Sequence, residues 1–444
     1  MQILIIGAGR SASALIDYLL SHSTAENGWR VVVADISLAA AQQKVNNHPS
    51  GEAVAIDIND AASRAAHIAA ADIVASMLPP ALHDLVAIDC LQHKKHLVTA
   101  SYLSEKLLAL HPKVAEAGLL FMGEMGLDPG IDHLSAMQVI QDVQARGGYI
   151  RSFKSYCGGL VAPECEGGNP WGYKFSWNPM NVVKAGQGTA QYMDAGKRKY
   201  LPYQRVFADA SRVSVQGLGE WDAYANRDSL GYRKIYGLED AQTLIRGTLR
   251  KRGYCKTWDV FVQLGMTDDT YKIDPKDWTY SDFLEAFLPA ADGDLRARLM
   301  QYLNKNAASN CIKKIEWLGF FDNKPIGIDA PSSPAAILLS LLLEKWKLET
   351  TDRDMVIMQH EFEYRIDNQD YTHTCTLVTK GDNQEDTAMA KLVGLPMAIL
   401  IRLIIENKIA LRGVHIPVQK EVYEQVLPEL ERLGVRFVET IEKV

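Results

Sequence analysis

Residues 3–12 read Ile-Leu-Ile-Ile-Gly-Ala-Gly-Arg-Ser-Ala, an apolar strand-like run that breaks into G-x-G-x-x-A. It passes directly into Ser11–Leu20, where Leu15, Ile16, Leu19 and Leu20 recur at helical spacing. A strand, a glycine turn and a helix in immediate succession leave few folds open. Gly7 permits the tight turn, Gly9 lets the backbone approach a pyrophosphate, and small Ala12 allows close helix–strand packing. Arg10 and Ser11 then sit at a helix N-terminus, where backbone N–H groups favour phosphate. The run Val31–Asp35 supplies a second strand ending in an acid, roughly 20 residues beyond the turn. A carboxylate there accepts hydrogen bonds from a ribose 2′-hydroxyl and repels a 2′-phosphate, so Asp35 predicts NAD in preference to NADP. The competing reading of Asp35 is a helix cap ahead of Ser37.

Further strands are predicted at Ala53–Ile56, Asp72–Met77 and His96–Thr99, with helical stretches between them. This alternation predicts an α/β chain opening with a Rossmann-type doubly wound parallel sheet. Ser76 and Leu78, after the fourth strand, fall where such folds line the nicotinamide side of the crevice, or form a plain strand-ending turn. Beyond Gly126 the pattern changes. Tyr149–Tyr156 has strand character, Gly158–Pro179 reads as a long irregular loop, and Asp354–Ile366 with Tyr371–Thr379 reads as a hairpin completing a sheet begun near Arg151. Helices are predicted at Asp386–Asn407 and Val418–Leu433. The expected division is a dinucleotide domain (1–127 and about 386–420), a mixed-sheet α/β substrate and dimerisation domain (128–237 and about 349–385), and a helical insertion (238–348).

The net charge of −7 gives no global positive field for nucleic acid or an anionic membrane, so any anionic ligand must meet a local cluster. Six scattered cysteines without a C-x-x-C pair predict neither a disulfide framework nor a zinc site, and His360-Glu361 lacks the second histidine of a zinc motif. No metal is expected. No apolar segment is expected to reach the roughly 20 residues of a membrane span, since Met397–Ile405 is interrupted by Arg402. An unprocessed, soluble, cytoplasmic chain is the expectation.

Six segments then occur in a telling order: Thr99–Tyr102 (TASY), Gly126–His133 (GLDPGIDH), Ser155–Leu160 (SYCGGL), Tyr173–Trp177 (YKFSW), Asn226–Ser229 (NRDS) and Arg246–Arg250 (RGTLR). With Ala388–Pro396, this series resembles that of the glutamate-forming saccharopine dehydrogenase family and the matching domain of aminoadipate semialdehyde synthase. The resemblance spans essentially the whole chain. It implies oxidation of saccharopine to L-glutamate and 2-aminoadipate 6-semialdehyde, or the reverse condensation, by a homodimer. It also implies that Ala100, Ser101 and Tyr102 touch cofactor and substrate, that Leu127, Asp128 and Pro129 contact the dinucleotide, and that Arg227, Thr248, Leu249 and Arg250 hold substrate carboxylates. The sequence departs from the fungal biosynthetic members at Asp35, which lies in a basic, NADP-favouring context there.

Planar guanidinium groups suit the three carboxylates of saccharopine, which agrees with Arg227 and Arg250. Arg246 and Arg233 read better as surface ion pairs. Asp128, Tyr102 and His133 are the candidates for moving the proton of the secondary amine, although a lone histidine after Pro-Gly at a helix start is more often structural. Cys157 is assigned packing or substrate contact. A related amine or imine oxidoreductase, such as a carboxynorspermidine or lysine 6-dehydrogenase, is the nearest enzyme alternative. A non-catalytic NAD-binding sensor is the alternative from another class.

Overall fold

The computed structural model describes residues 1–24, 26–226, 228–304 and 309–444. They form two compact units, Met1–Tyr149 with Glu385–Phe437 and Ile150–Gln384 with Val438–Val444.

The first unit begins β1 (Gln2–Ile6), α1 (Ser13–Ser21), β2 (Arg30–Asp35), α2 (Leu38–Val45), β3 (Gly51–Ala55), α3 (Ala61–Ala70) and β4 (Ile73–Ser76). It continues α4 (His83–Gln92), β5 (His96–Thr99), α5 (Glu105–Ala109), α6 (His111–Glu116), β6 (Leu120–Met122) and α7 (Ile131–Ala145). These strands pair in the order β6-β5-β4-β1-β2-β3, all parallel. Ile3–Ile6 and Val31–Ala34 are buried throughout, because helices cover both faces of such a sheet. From β1 the chain winds outward through β2 and β3, then returns to β4 on the other side. That reversal leaves a crevice at the carboxyl ends of β1 and β4.

The second unit opens with β7 (Tyr149–Val161), α8 (Pro179–Val183), β8 (Ala190–Asp194), β9 (Lys197–Leu201), α9 (Tyr203–Val206), β10 (Ser211–Val215), β11 (Gly219–Ala225), α10 (Tyr232–Ile235) and β12 (Thr243–Lys251). There follow α11 (Tyr254–Gln263), α12 (Tyr280–Glu285), α13 (Leu295–Tyr302), α14 (Asn310–Leu318), α15 (Pro334–Lys345), β13 (Asp354–Ile366) and β14 (Gln369–Lys380). The chain re-enters the first unit as α16 (Ala388–Ile405), β15 (Gly413–His415) and α17 (Lys420–Arg432), and its last strand, β16 (Phe437–Lys443), extends the second sheet. β15 adds to the first sheet beside β6, giving seven strands among the described residues. The second sheet is mixed, ordered β10-β11-β12-β7-β13-β14-β16, with β8 beside β12 and β9 beside β8.

The hairpin forms as its alternation predicts. Asp367 and Asn368 both take positive φ in a two-residue turn between Ile366 and Gln369. Two segments differ from expectation. β12 lies inside the stretch read as helical, because it runs between β11 and β7 and is buried on both faces, which erases the period-2 signal. β7 continues through Gly158–Val161, where a loop was expected. A Cβ at Gly158 would lie 2.7 Å from the Leu249 carbonyl oxygen, so glycine serves close strand approach there rather than a turn. Helices α11 to α15 bury Trp258 and Trp346 around Trp171, which caps the loop after β7. Burial of each such ring contributes about 2–3 kcal/mol. α16 corrects the membrane expectation. It is long and apolar enough to cross a membrane, yet most of it is buried as a core helix, and a Cβ at Gly394 would meet the Leu15 amide nitrogen at 2.6 Å.

Candidate active site

Gly7 takes φ +110, and a Cβ there would stand 3.0 Å from the Met77 carbonyl oxygen across the β1–β4 crevice. Gly9 and Arg10 are exposed, and nothing lies within 4 Å of a Cβ built on Gly9. A 3-10 turn at Arg10–Ala12 leads into α1, and neither start has a side-chain cap. Exposed, uncapped N–H groups beside an open glycine backbone fit a pyrophosphate. Ser11 is half-buried and Ala12 fully buried. Asp35 closes the turn from β2: its Oδ2 accepts from the Ala8 amide at 2.8 Å and its Oδ1 from the Ser37 amide at 2.9 Å. Its carboxylate therefore braces the glycine turn and the chain entering α2, whose N-cap is Ser37 and not Asp35.

At the ends of β4 and β5 a polar chain missed in the sequence comes together. His83, first residue of α4, has Nδ1 2.8 Å from the Ser76 hydroxyl and Nε2 2.8 Å from the Ser101 hydroxyl, with the Thr99 hydroxyl 3.4 Å from Nε2. The signal available was a histidine in the helix start after Ser76-Met-Leu-Pro-Pro. Burial drives the His83 pKa down from 6.5 to about 4, opposed by Asp84. Between those two values the unfolded chain binds a proton that the folded chain refuses. Stability is therefore complete above pH 6.5 and is expected to fall by up to roughly 3 kcal/mol as pH drops toward 4. Urea titrations across this range should show the decline, and a His83→Asn chain should show a flatter one.

The Ala100–Tyr102 loop is sewn to the segment after β6, since the Met125 amide donates to the Thr99 carbonyl and the Glu124 amide to the Ser101 carbonyl. Leu127, Asp128 and Pro129 form a tight turn in which the Gly126 amide donates to the Pro129 carbonyl and the Ile131 amide to the Gly126 carbonyl; the Asp128–Pro129 peptide is cis. Gly126 packs on Ala100, where an added Cβ would meet the Ala100 Cβ at 2.9 Å. Ser76, Ala100, Ser101, Tyr102 and the 127–129 turn thus gather at the carboxyl ends of β4, β5 and β6. Leu78 turns partly onto the apolar core beneath.

The three proton-handling candidates part here. Tyr102 is 51% exposed and Asp128 half-buried. His133 is 0% exposed, its Nε2 2.9 Å from Glu124 and its Nδ1 3.8 Å from Asp132. An imidazole enclosed by two carboxylates anchors the start of α7.

In the second unit, strand register sorts the remaining candidates. Thr248 lies opposite Tyr224 and Cys157, and Arg250 opposite Asp222, so these side chains share one face of the sheet. Leu249 points to the other face, into a core with Leu160, Val213 and Ile357, so its side chain does not join them. Arg227 lies outside the described residues. Arg250 is 2% exposed within a cage of Tyr173, Tyr224 and Tyr254, whose ring centroids lie 5.2, 5.7 and 5.6 Å from its guanidinium carbon. It donates to the Leu249 carbonyl and, at 3.4 Å, to the Tyr224 hydroxyl, while its Nε has no partner. Asp222 is spent on the Gly253 and Cys255 amides at the start of α11. Among the described residues no carboxylate pairs with Arg250. Arg246, expected at the surface, is buried with its guanidinium 4.2 Å over the Tyr232 ring.

The strands also collect three potential metal-ligating atoms that spacing did not reveal, on His373, Cys375 and Glu439. His373 Nε2 is 2.9 Å from Glu439 and 3.3 Å from the Cys375 sulfur. Burial, and next Glu439, raise the Cys375 thiol pKa, which keeps it protonated.

Family models match both parts of this architecture: the saccharopine dehydrogenase NADP binding domain over residues 3–122 and the saccharopine dehydrogenase C-terminal domain over 126–435. The chain belongs to the saccharopine dehydrogenase family. It is 34% identical to the saccharopine dehydrogenase (NADP(+), L-glutamate-forming) of Saccharomyces cerevisiae, over 99% of this chain and 98% of that one. It is 35% identical to the alpha-aminoadipic semialdehyde synthase of Arabidopsis thaliana, covering 99% of this chain but 45% of the plant protein. The chain therefore spans less than half of that relative. An apo structure of the L-Glu-forming enzyme from S. cerevisiae superposes with a TM-score of 0.89 at 31% identity, covering 99% of each chain. Membership makes this chain an oxidoreductase with a nicotinamide cofactor. The preference for NAD read from Asp35 finds no support in these comparisons: the domain model for residues 3–122 and the name of the S. cerevisiae enzyme specify NADP.

Proposed function

We propose that this chain catalyses the saccharopine dehydrogenase reaction, breaking or forming the C–N bond between the glutamate-derived and lysine-derived halves of saccharopine. Arg250 carries the reading. A buried guanidinium without a carboxylate is expensive unless an anionic ligand completes it, and each end of saccharopine presents a carboxylate. An amine substrate poor in carboxylates leaves that cation uncompensated, which disfavours polyamine-type alternatives.

The glycine turn and the open N-terminus of α1 hold the dinucleotide pyrophosphate, with Ser76, Ser101 and the 127–129 turn on the nicotinamide side. When bound, the dinucleotide supplies hydride acceptance or donation. Arg250 and Thr248 fix a substrate carboxylate on their shared sheet face. In the oxidative direction the secondary amine must first lose its proton, and Asp128 or Tyr102 takes it. Water adds to the resulting imine, and the same group returns a proton as the carbinolamine collapses to L-glutamate and 2-aminoadipate 6-semialdehyde.

Kinship supports NADP as the cofactor. Asp35 carries the second reading, NAD, because a carboxylate at the end of β2 opposes a 2′-phosphate. Absorbance at 340 nm, followed with purified chain and saccharopine across neutral to alkaline pH, tests both. Turnover with NADP at least tenfold faster than with NAD is the expected result. The reverse ranking reinstates the Asp35 argument, and silence with both cofactors refutes the proposed reaction. A homodimer in the cytoplasm, with helices α11 to α15 after β12 as an insertion in the substrate domain, accompanies this reading.

A further inference from the structure

We infer that His83 is a positioning residue that fixes the hydroxyl of Ser101 toward the bound ligands, with Ser76 as its buried counterweight. The inference rests on the proposed reaction only for its most direct readout. Ser76 is 1% and His83 2% exposed, whereas Ser101 is half-buried at the mouth of the crevice. Both ring nitrogens meet a hydroxyl at 2.8 Å. The ring stays neutral at working pH because burial holds its pKa near 4. A neutral imidazole has one donor nitrogen and one acceptor nitrogen, so the two bonds are of opposite sense. If Nδ1 donates to Ser76, Nε2 accepts from Ser101 and leaves that oxygen's lone pairs for a ligand donor. If Ser76 donates to Nδ1, Nε2 donates to Ser101, whose proton then faces a ligand acceptor.

Either arrangement removes the rotational freedom of the Ser101 hydroxyl before ligand arrives. The Ser101 backbone is already pinned, its amide 3.3 Å from the Thr99 hydroxyl and its carbonyl accepting from Glu124. What remains to be set are the side-chain rotamer and the hydroxyl torsion, and His83 Nε2, 2.8 Å from Oγ, holds both. The register pairing of Ser76 with Thr99 places the ring where the ends of β4 and β5 meet, so His83 also ties the two strand ends.

The two nitrogens can be removed separately, because an asparagine amide approximates Nδ1 and a glutamine amide approximates Nε2. H83N keeps a group for Ser76 and loses the one for Ser101. H83Q does the reverse. In saccharopine oxidation, H83N is expected to lower kcat at least tenfold with KM changed less than threefold, and H83Q to recover most of that loss. S101A should match H83N, and the H83N/S101A double variant should be no slower than S101A alone. Equal kcat losses in H83N and H83Q alongside equal falls in melting temperature would assign His83 to structure alone and overturn the inference. So would an H83N chain as fast as the parent. If the parent itself does not turn over saccharopine, the proposed reaction fails separately. The same variants are then compared by calorimetric affinity for NADPH and NADH, where H83N equal to the parent overturns the inference and a tenfold loss rescued by H83Q upholds it.

Discussion

Replacing Arg250 by Met is expected to raise the KM for saccharopine by on the order of a hundredfold while raising, not lowering, the melting temperature of the ligand-free protein. The first effect follows from losing a charge-assisted contact to a carboxylate in a desolvated setting, worth about 3 kcal/mol. The second follows from the same burial. The guanidinium has no carboxylate partner among the described residues and an unsatisfied Nε, so the folded, empty protein carries an uncompensated charge. Tyr173, Tyr224 and Tyr254 return part of its hydration as cation–π contact. A thioether of similar length packs against those rings without needing hydration, and replacing buried ionic groups by well-packed apolar ones is often neutral or stabilising by about 1–4 kcal/mol. Steady-state kinetics and thermal melts of the same preparation check both signs. An unchanged KM removes the carboxylate assignment, and a fall of several degrees in Tm makes the guanidinium a structural group.

Gly130→Ala should be among the most damaging single changes in the first unit. Gly130 takes φ +146 and ψ −87, a conformation open essentially to glycine, and an added Cβ would sit 2.0 Å from the Gly126 carbonyl oxygen. That carbonyl accepts the Ile131 amide that starts α7, so relief by moving Gly126 would break the turn holding Leu127, Asp128 and Pro129. The expected loss is about 4 kcal/mol or more, visible as a large drop in denaturation midpoint. If the chain survives, dinucleotide affinity should fall with it. A Gly9→Ala chain, with open space around the added methyl, should keep its stability within about 0.5 kcal/mol and lose affinity alone. A Gly130→Ala chain as stable as the parent would show that the turn relaxes in a way its hydrogen bonds argue against.

Five strands of the first sheet, β1 to β5, were legible because they are short apolar runs alternating with helical stretches, whereas β6 and β15, three residues each, are too short to show a pattern. β12 was not legible, since a strand buried on both faces loses its alternation and shares its composition with a buried helix. α16 was legible as a helix but not as one apolar enough to span a membrane: Arg402 interrupts the apolar run, yet its guanidinium reaches Tyr18 and Glu406 while its neighbours stay in the core. Leu249 entered the site list with its neighbours in a motif, but a strand turns successive side chains to opposite faces.

The dinucleotide turn could be read from local order alone because phosphate recognition there uses backbone N–H groups, which need only glycines, a strand and a helix in sequence. Side-chain constellations obey no such local rule. His83 meets Ser76 and Ser101, and Arg250 meets Tyr173, Tyr224 and Tyr254, only because sheet order and register bring distant residues onto one edge or one face. A slip of one residue in any of those strands turns the same side chains the other way. Chain order announced a cofactor-binding enzyme, whereas tertiary packing decided that His133 is enclosed, that Ser101 is held, and that Arg250 has no carboxylate partner among the described residues.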